Sequence, residues 1–296
     1  MCCAACGVGE VDDIKLKACD GCKSIQYCSD ECQTDHRPQH ERECNERAAE
    51  LRDEILFKQP ENTHMGDCPI CCVPLTICGK KTFMIECCSK LICNGCDYAN
   101  LIREREQKIE HKCPFCRHPT AKSKEEADRN RMKRVEANDP VALREEGNRR
   151  YNGGDHKSAF EYSSKAAELG DVAAHYNLSV MYHKGGGVEK DEKKKLYHLE
   201  EAAIGGHPNA RHNLGYLEET NGRLERAVKH WIIAANLGGD ASLHSLKLGY
   251  MEGIVSKEDF AAALRAHQAA VDAIKSPQRE AAVAGLQKIE AAKAVR

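Results

Sequence analysis

No cysteine stands between residues 117 and 296, although the chain carries 18 of them, all between Cys2 and Cys116. Aromatic residues are scarce too, at 5% with a single tryptophan, so the short cysteine-rich stretch cannot hold itself together by apolar burial alone. No apolar run approaches the ~20 residues a membrane-spanning helix needs. Charge of one sign is also missing. The 44 Lys and Arg against 46 Asp and Glu leave a net charge of −2, which argues against a general grip on nucleic acid. The one basic run, Arg129 to Arg134 (RNRMKR), is surrounded by Glu125, Glu126, Asp128 and Glu136 and reads as a solvated charged helix. The start, MCCAAC, has neither the basic residues nor the apolar stretch of an export signal. A reducing compartment, cytoplasm or nucleus, is therefore expected, where clustered thiols bind metal rather than one another.

What is present divides the chain chemically into a cysteine-rich front and an alanine- and glycine-rich back. The first candidate ligands are Cys3, Cys6, Cys19, Cys22, Cys28, Cys32, His40 and Cys44. Eight ligands make two tetrahedral sites. A Cys-x-x-Cys turn presents two sulfurs to one ion, and His40-x-x-x-Cys44 places imidazole and thiolate one helical turn apart. Thiolate suits a borderline-soft ion such as Zn2+. Metal must then supply most of the folding free energy of this segment, about 10 kcal/mol per structural site.

This order of ligands, with YCSDECQ at Tyr27 to Gln33, resembles the MYND zinc finger over residues 1–46. The resemblance implies interleaved pairing: Cys3, Cys6, Cys28 and Cys32 on one ion, Cys19, Cys22, His40 and Cys44 on the other. His36 is an alternative to His40, and Cys2 to Cys3. The family's usual ligand is a short proline-containing peptide, but Arg37 stands where it usually carries a tryptophan. Some MYND fingers sit inside SET-domain methyltransferases, of which no catalytic motif occurs here.

A second cluster runs from Cys68-Pro69-Ile70-Cys71 through Cys87, Cys88, Cys93 and Cys96 to Cys113-Pro114-Phe115-Cys116-Arg117. Over residues 64–120 it resembles a RING finger. That implies one site of Cys68, Cys71, Cys93 and Cys96 and another of Cys87, Cys88, Cys113 and Cys116. Lys90 occupies the place of a common histidine ligand and has no lone pair to offer, so adjacent Cys87 and Cys88 are chosen instead, with His111 as runner-up. Cys72 and Cys78 are left over and are expected to be packed thiols. RING fingers commonly act as ubiquitin ligases, and the resemblance gives Ile70, Pro114 and Arg117 as contacts to a ubiquitin-conjugating enzyme. Such a ligase works by positioning, with no covalent chemistry of its own. Taken singly, Ile70 is equally a packing residue, Pro114 a turn former and Arg117 a solvated charge.

Beyond a charged helical linker at 121–139, the sequence repeats itself. Ala174-His175-Tyr176-Asn177-Leu178 matches Ala210-Arg211-His212-Asn213-Leu214 at a period of 36, and KAAELGD, EAAIGGH and AANLGGD each close on glycine as a helix C-terminus should. Each unit reads as two antiparallel helices, with Leu178, Met181, Leu199, Leu214, Trp231, Ile232 and Leu246 between units. The triple glycine Gly185–Gly187 lacks the Gly-Lys-Ser/Thr ending of a phosphate loop and reads as a turn. His175, His198, His212 and His230 read as packed or exposed, not as ligands. With Asp191 and the AA-x-G endings, residues 140–275 resemble the SEL-one-like repeat, a relative of the tetratricopeptide repeat, followed by a helical tail at 276–296. The order of modules resembles, as a whole, a group of zinc-finger repeat proteins abundant in diatoms and related algae.

The expectation is therefore a mainly α protein, with two small cross-brace zinc modules followed by an α-solenoid of helix-turn-helix repeats and about four zinc ions. As function, a RING-type ubiquitin ligase whose finger and repeats recruit a protein substrate stands first. A non-catalytic adaptor, holding protein partners together, is the alternative. Membrane and nucleic-acid partners are not expected.

Overall fold

The computed structural model describes residues 1–10, 14–76 and 81–294. It divides into two compact units, Met1–Lys58 and Gln59–Arg296. Among the described residues no helix is long and apolar enough to cross a membrane.

In the first unit a small hairpin, β1 (Lys17–Ala18) and β2 (Gln26–Tyr27), precedes helix α1 (Asp30–Leu56). Ser29 caps that helix by accepting from the Cys32 amide at 3.2 Å, and Asp30 and Glu31 favour the positive end of its dipole. The cap fixes where the helix begins, and so sets Cys28 and Cys32 beside each other. α1 runs about ten residues past the expected boundary at 46.

The second unit opens with a zinc-module hairpin, β3 (Thr82–Met84) and β4 (Leu91–Cys93), and helix α2 (Asn94–Glu106). Then come α3 (Lys124–Glu136), four helix pairs and a last helix. The pairs are α4 (Pro140–Asn152) with α5 (His156–Glu168), α6 (Val172–Lys184) with α7 (Glu192–Ile204), α8 (Pro208–Thr220) with α9 (Leu224–Asn236), and α10 (Asp240–Met251) with α11 (Lys257–Ala273). Asp139, Asp155, Asp171 and Asp191 cap α4 to α7 and Ser256 caps α11, while Pro140 and Pro208 open α4 and α8. Alanines such as Ala142, Ala166, Ala174, Ala202, Ala210, Ala227 and Ala234 are fully buried where helices cross, because a methyl group is all the space allows. The triple glycine is the turn between α6 and α7, where Gly185 takes the left-handed conformation that ends α6.

One expectation needs correction. The charged segment around RNRMKR is helical, but it is not merely solvated: Val135 joins the core of the first repeats, and Arg131, 6% exposed, bonds Glu146 at 3.1 Å. A buried arginine needs a buried carboxylate, and Glu146 on α4 supplies it. Ile232 packs, partly buried, against the core of Trp231 and Leu246 as expected, and Ile233 is buried beside it. The C-terminal tail is helical, and α12 (Pro277–Ala294) packs on α2 of the zinc module.

The stretch before the zinc module is also tied down. The His64 amide donates to the Gly206 carbonyl at 3.1 Å, its ring stacks on His207 at 4.3 Å, and His207 stacks on Tyr176 at 4.3 Å. Burial disfavours the charged rings, holding His64 down to about 4 and His207 to about 3, with Arg144 adding to the effect and Asp171 opposing it at His64. Because the unfolded pKa is about 6.5, the unfolded chain takes up these protons first. The stabilisation is thus complete above about pH 6.5 and declines as pH falls toward 4. His64→Phe, which keeps the stack and removes the titration, is expected to flatten the fall of Tm between pH 7 and pH 5. An unchanged slope would refute this assignment.

Candidate metal centres

Four Cys-x-x-Cys turns share one backbone design. In each, the amide after the second cysteine donates to the carbonyl of the first: Gly7 to Cys3 at 2.9 Å, Lys23 to Cys19 at 3.0 Å, Cys72 to Cys68 at 2.8 Å, Arg117 to Cys113 at 3.0 Å. The donor residues have φ of +75°, +56°, +53° and +61°. Only one of them is glycine, so the other three hold a costly left-handed conformation that the surrounding turn must enforce. The amide of the first cysteine in turn donates to Val8, Ile25, Val73 or His118 at 2.8–3.0 Å. Both sulfurs are thereby set on the same side.

The turns and helices bring the predicted ligands into four groups, within each of which the donor atoms lie no more than 4.8 Å apart. Cys3, Cys6, Cys28 and Cys32 form the first, and Cys19, Cys22, His40 and Cys44 the second. Cys68, Cys71, Cys93 and Cys96 form the third, Cys87, Cys88, Cys113 and Cys116 the fourth. In each module the groups interleave along the chain, which is the cross-brace arrangement. Sulfur separations include 3.5 Å for Cys6 and Cys28, 3.8 Å for both Cys68–Cys96 and Cys71–Cys93, and 3.9 Å for Cys88–Cys113. Those distances rule out disulfides, near 2 Å, and match two sulfurs on one tetrahedral zinc, about 3.8 Å apart.

The electrostatics of the groups also calls for a cation. Neighbouring Cys6 and Cys32 push the Cys28 thiol up to about 12; burial, then Cys19, pushes Cys44 up to about 11; burial and the Cys113 thiolate push Cys88 up to about 11. Four thiolates cannot ionise side by side unless a dication neutralises them. The donor set fits Zn2+, as structural sites without an open position.

The weakest assignment acquires a local rationale. Ile85 accepts from the Cys88 and Ser89 amides, and Ser89 has φ +55°, giving the sharp bend that lets adjacent cysteines reach one group. His111 instead bonds Glu104 at 2.6 Å, and His36 bonds the Tyr27 hydroxyl at 3.1 Å while stacking on His40. Cys2 is exposed and outside the groups. Cys72 is exposed, not packed, because it occupies the left-handed position after its turn; Cys78 lies outside the described residues. The repeat histidines stay with protein partners: His175 with His198, Nδ1 to Nδ1 at 2.9 Å, and His212 with Ser242 at 3.0 Å.

The three residues named for a conjugating enzyme part company. Ile70 is 40% exposed, whereas the Arg117 guanidinium donates to Asn100 at 3.1 Å and Glu104 at 3.3 Å on α2. Glu104, 2% exposed, also takes the His111 ring and the Lys112 amide, so this network pins the last zinc turn to α2. Sequence reasoning missed Asn100 and Glu104, since nothing in their spacing marks them as partners of Arg117. Pro114 lies within that turn beside Phe115, which is 41% exposed.

Comparisons with known proteins agree with two of the modules. The family model of the MYND finger matches residues 3–44, and that of the Sel1 repeat matches residues 150–171, 172–207 and 208–239. Chitin synthase regulatory factor 4 of Schizosaccharomyces pombe is 33% identical over 88 residues, 29% of this chain and 14% of that protein. A Sel1 repeat protein from Oxalobacter formigenes is similar at 28% identity and TM-score 0.43, over 52% of this chain and 66% of that one. The c5321 protective antigen of uropathogenic Escherichia coli, with an SLR fold, is similar at 30% and 0.41, over 49% and 32%. The chain thus covers less than two thirds of each of these relatives.

Proposed function

We propose that this chain is a zinc-organised adaptor that holds protein partners through its MYND finger and its Sel1 repeats. The observation that carries this reading is the joining, in one chain, of two modules whose families are protein-interaction modules. In the finger, a cavity of about 530 Å³ lies beside α1, lined by Tyr27, Gln33, Thr34 and Arg37 with Asp20, Asp30 and Glu41. Its carboxylates favour a proline-containing peptide that also carries positive charge.

The ligase reading stands second. Ile70 and Phe115, exposed in different zinc turns of the second module, support it. Against it stands Arg117, whose network with Asn100 and Glu104 gives the arginine a structural task without any ubiquitin. Zinc-loaded protein incubated with a panel of ubiquitin-conjugating enzymes distinguishes the two. The adaptor reading expects no ubiquitin chains with any enzyme. Chains that form with the wild type and vanish in both Ile70→Ala and Arg117→Ala would replace the adaptor by a RING-type ligase.

A further inference from the structure

We propose that Arg279, on α12, is an outer-sphere group of the zinc site built by Cys68, Cys71, Cys93 and Cys96, so that holding this metal and docking the C-terminal helix are one linked event. The inference needs zinc at that site but not the adaptor reading.

The Arg279 guanidinium reaches more than 200 residues back along the chain into the turn after the first ligand pair. Nη2 lies 3.9 Å from the Cys71 sulfur and donates to the Val73 carbonyl at 2.9 Å, while Nη1 donates to the carbonyls of Pro74 at 2.7 Å and Ile274 at 2.8 Å. The residue is only 8% exposed. A buried guanidinium is always charged and needs an opposite charge nearby. Among the described residues no carboxylate forms an ion pair with Arg279 within 4 Å, and three carbonyls carry only partial charge. The missing counter-charge is the metal site itself. Zn2+ with four thiolates carries a net charge of −2, and a fixed cation against Cys71 offsets part of it while holding the turn that presents Cys68 and Cys71. Groups outside the ligand sphere commonly change metal affinity by about 10–100-fold.

The packing shows that this approach is built in. In the first turn of α2 stands Gly95, where an added Cβ would stand 2.8 Å from the Arg279 backbone nitrogen, and further along Tyr98 lies against Gly285 of α12. Small residues at both crossings let the helices close, and that closeness is what carries the guanidinium to the zinc turn.

The test uses the full chain loaded with zinc. Thiol alkylation under mild chelation is followed peptide by peptide, and cobalt substitution reports the thiolate-to-metal charge-transfer band. In Arg279→Gln, cysteines 68, 71, 93 and 96 are expected to become reactive about 10–100-fold faster, with the other eleven cysteine ligands unchanged. The cobalt band of that site should move to lower energy as the sulfurs lose their cation. Arg279→Lys, keeping charge without the fork, should restore the band and part of the protection. Gly285→Trp, which keeps the arginine but forces α12 off Tyr98 and so draws the guanidinium away from the zinc turn, should expose the same four cysteines. Unchanged rates in Arg279→Gln, or equal acceleration at all four sites, overturn the proposal.

Discussion

Chelating the metal from reduced protein is expected to unfold both cysteine modules while most of the helical repeats stay folded. The first module buries Cys3, Cys19, Cys22 and Tyr27, and the second Cys68, Leu75, Ile92, Cys93 and Cys96, so ligand atoms make up much of each small core. Without the ion those thiols become repelling or uncompensated groups, and the left-handed backbone at Lys23, Cys72 and Arg117 loses what enforces it. A structural zinc contributes about 10–16 kcal/mol of apparent binding free energy, as much as the whole stability of an ordinary domain. The repeats instead bury Leu143, Leu178, Leu246 and a row of alanines, none of which depends on metal. Hydrogen exchange should show loss of protection across residues 3–44 and 68–119 and retained protection from α4 to α11. α12 should loosen with the second module, since it rests on α2. A metal-free, reduced chain that keeps protection in both modules would defeat this account.

The cysteine spacing carried the ligand groups because a two-residue gap constrains geometry locally: whatever the rest of the chain does, both sulfurs of such a turn face one ion. The 36-residue period carried the repeats for a similar reason, since each helix pair meets its neighbour through the same alanines and glycines. What stayed hidden was non-local or disguised. Arg279 and Cys71 are far apart in the chain, and no pattern at either end announces the other. Arg131 looked solvated because its neighbours are charged, yet the sequence cannot show that Glu146 waits in a buried position on the next helix. Arg117 and Glu104 are close in sequence, but one stands in a turn and the other on α2, so only the fold shows that the arginine is occupied. Placing Cys87 and Cys88 in one group depended on a bend at Ser89 that no residue type there demands.

Replacing Trp231 by alanine is expected to destabilise the repeats by about 3–5 kcal/mol, the range for emptying a large aromatic site. The indole, 5% exposed, packs among Ala227, Ala235, Leu246, Val255 and Ala263, and its other side lies against the α8 backbone at Gly215. A Cβ added at Gly215 would come within 2.5 Å of the ring's Cδ1. Alanine there would gain about 1 kcal/mol in helix propensity. It would lose more by overlap, about 1–3 kcal/mol, because a rigid ring walled in by small residues has nowhere to move. Phenylalanine at 231 should be far milder than alanine, about 1–2 kcal/mol: it leaves a smaller void and also removes a buried indole N–H that makes no hydrogen bond among the described residues. Urea unfolding followed by far-ultraviolet circular dichroism gives the order, with alanine at 231 the most damaging. The zinc content should not change in any of the three variants, because the metal groups lie outside this core. If Trp231→Phe proves as costly as Trp231→Ala, the indole is held by a polar contact and not by packing against the Gly215 backbone.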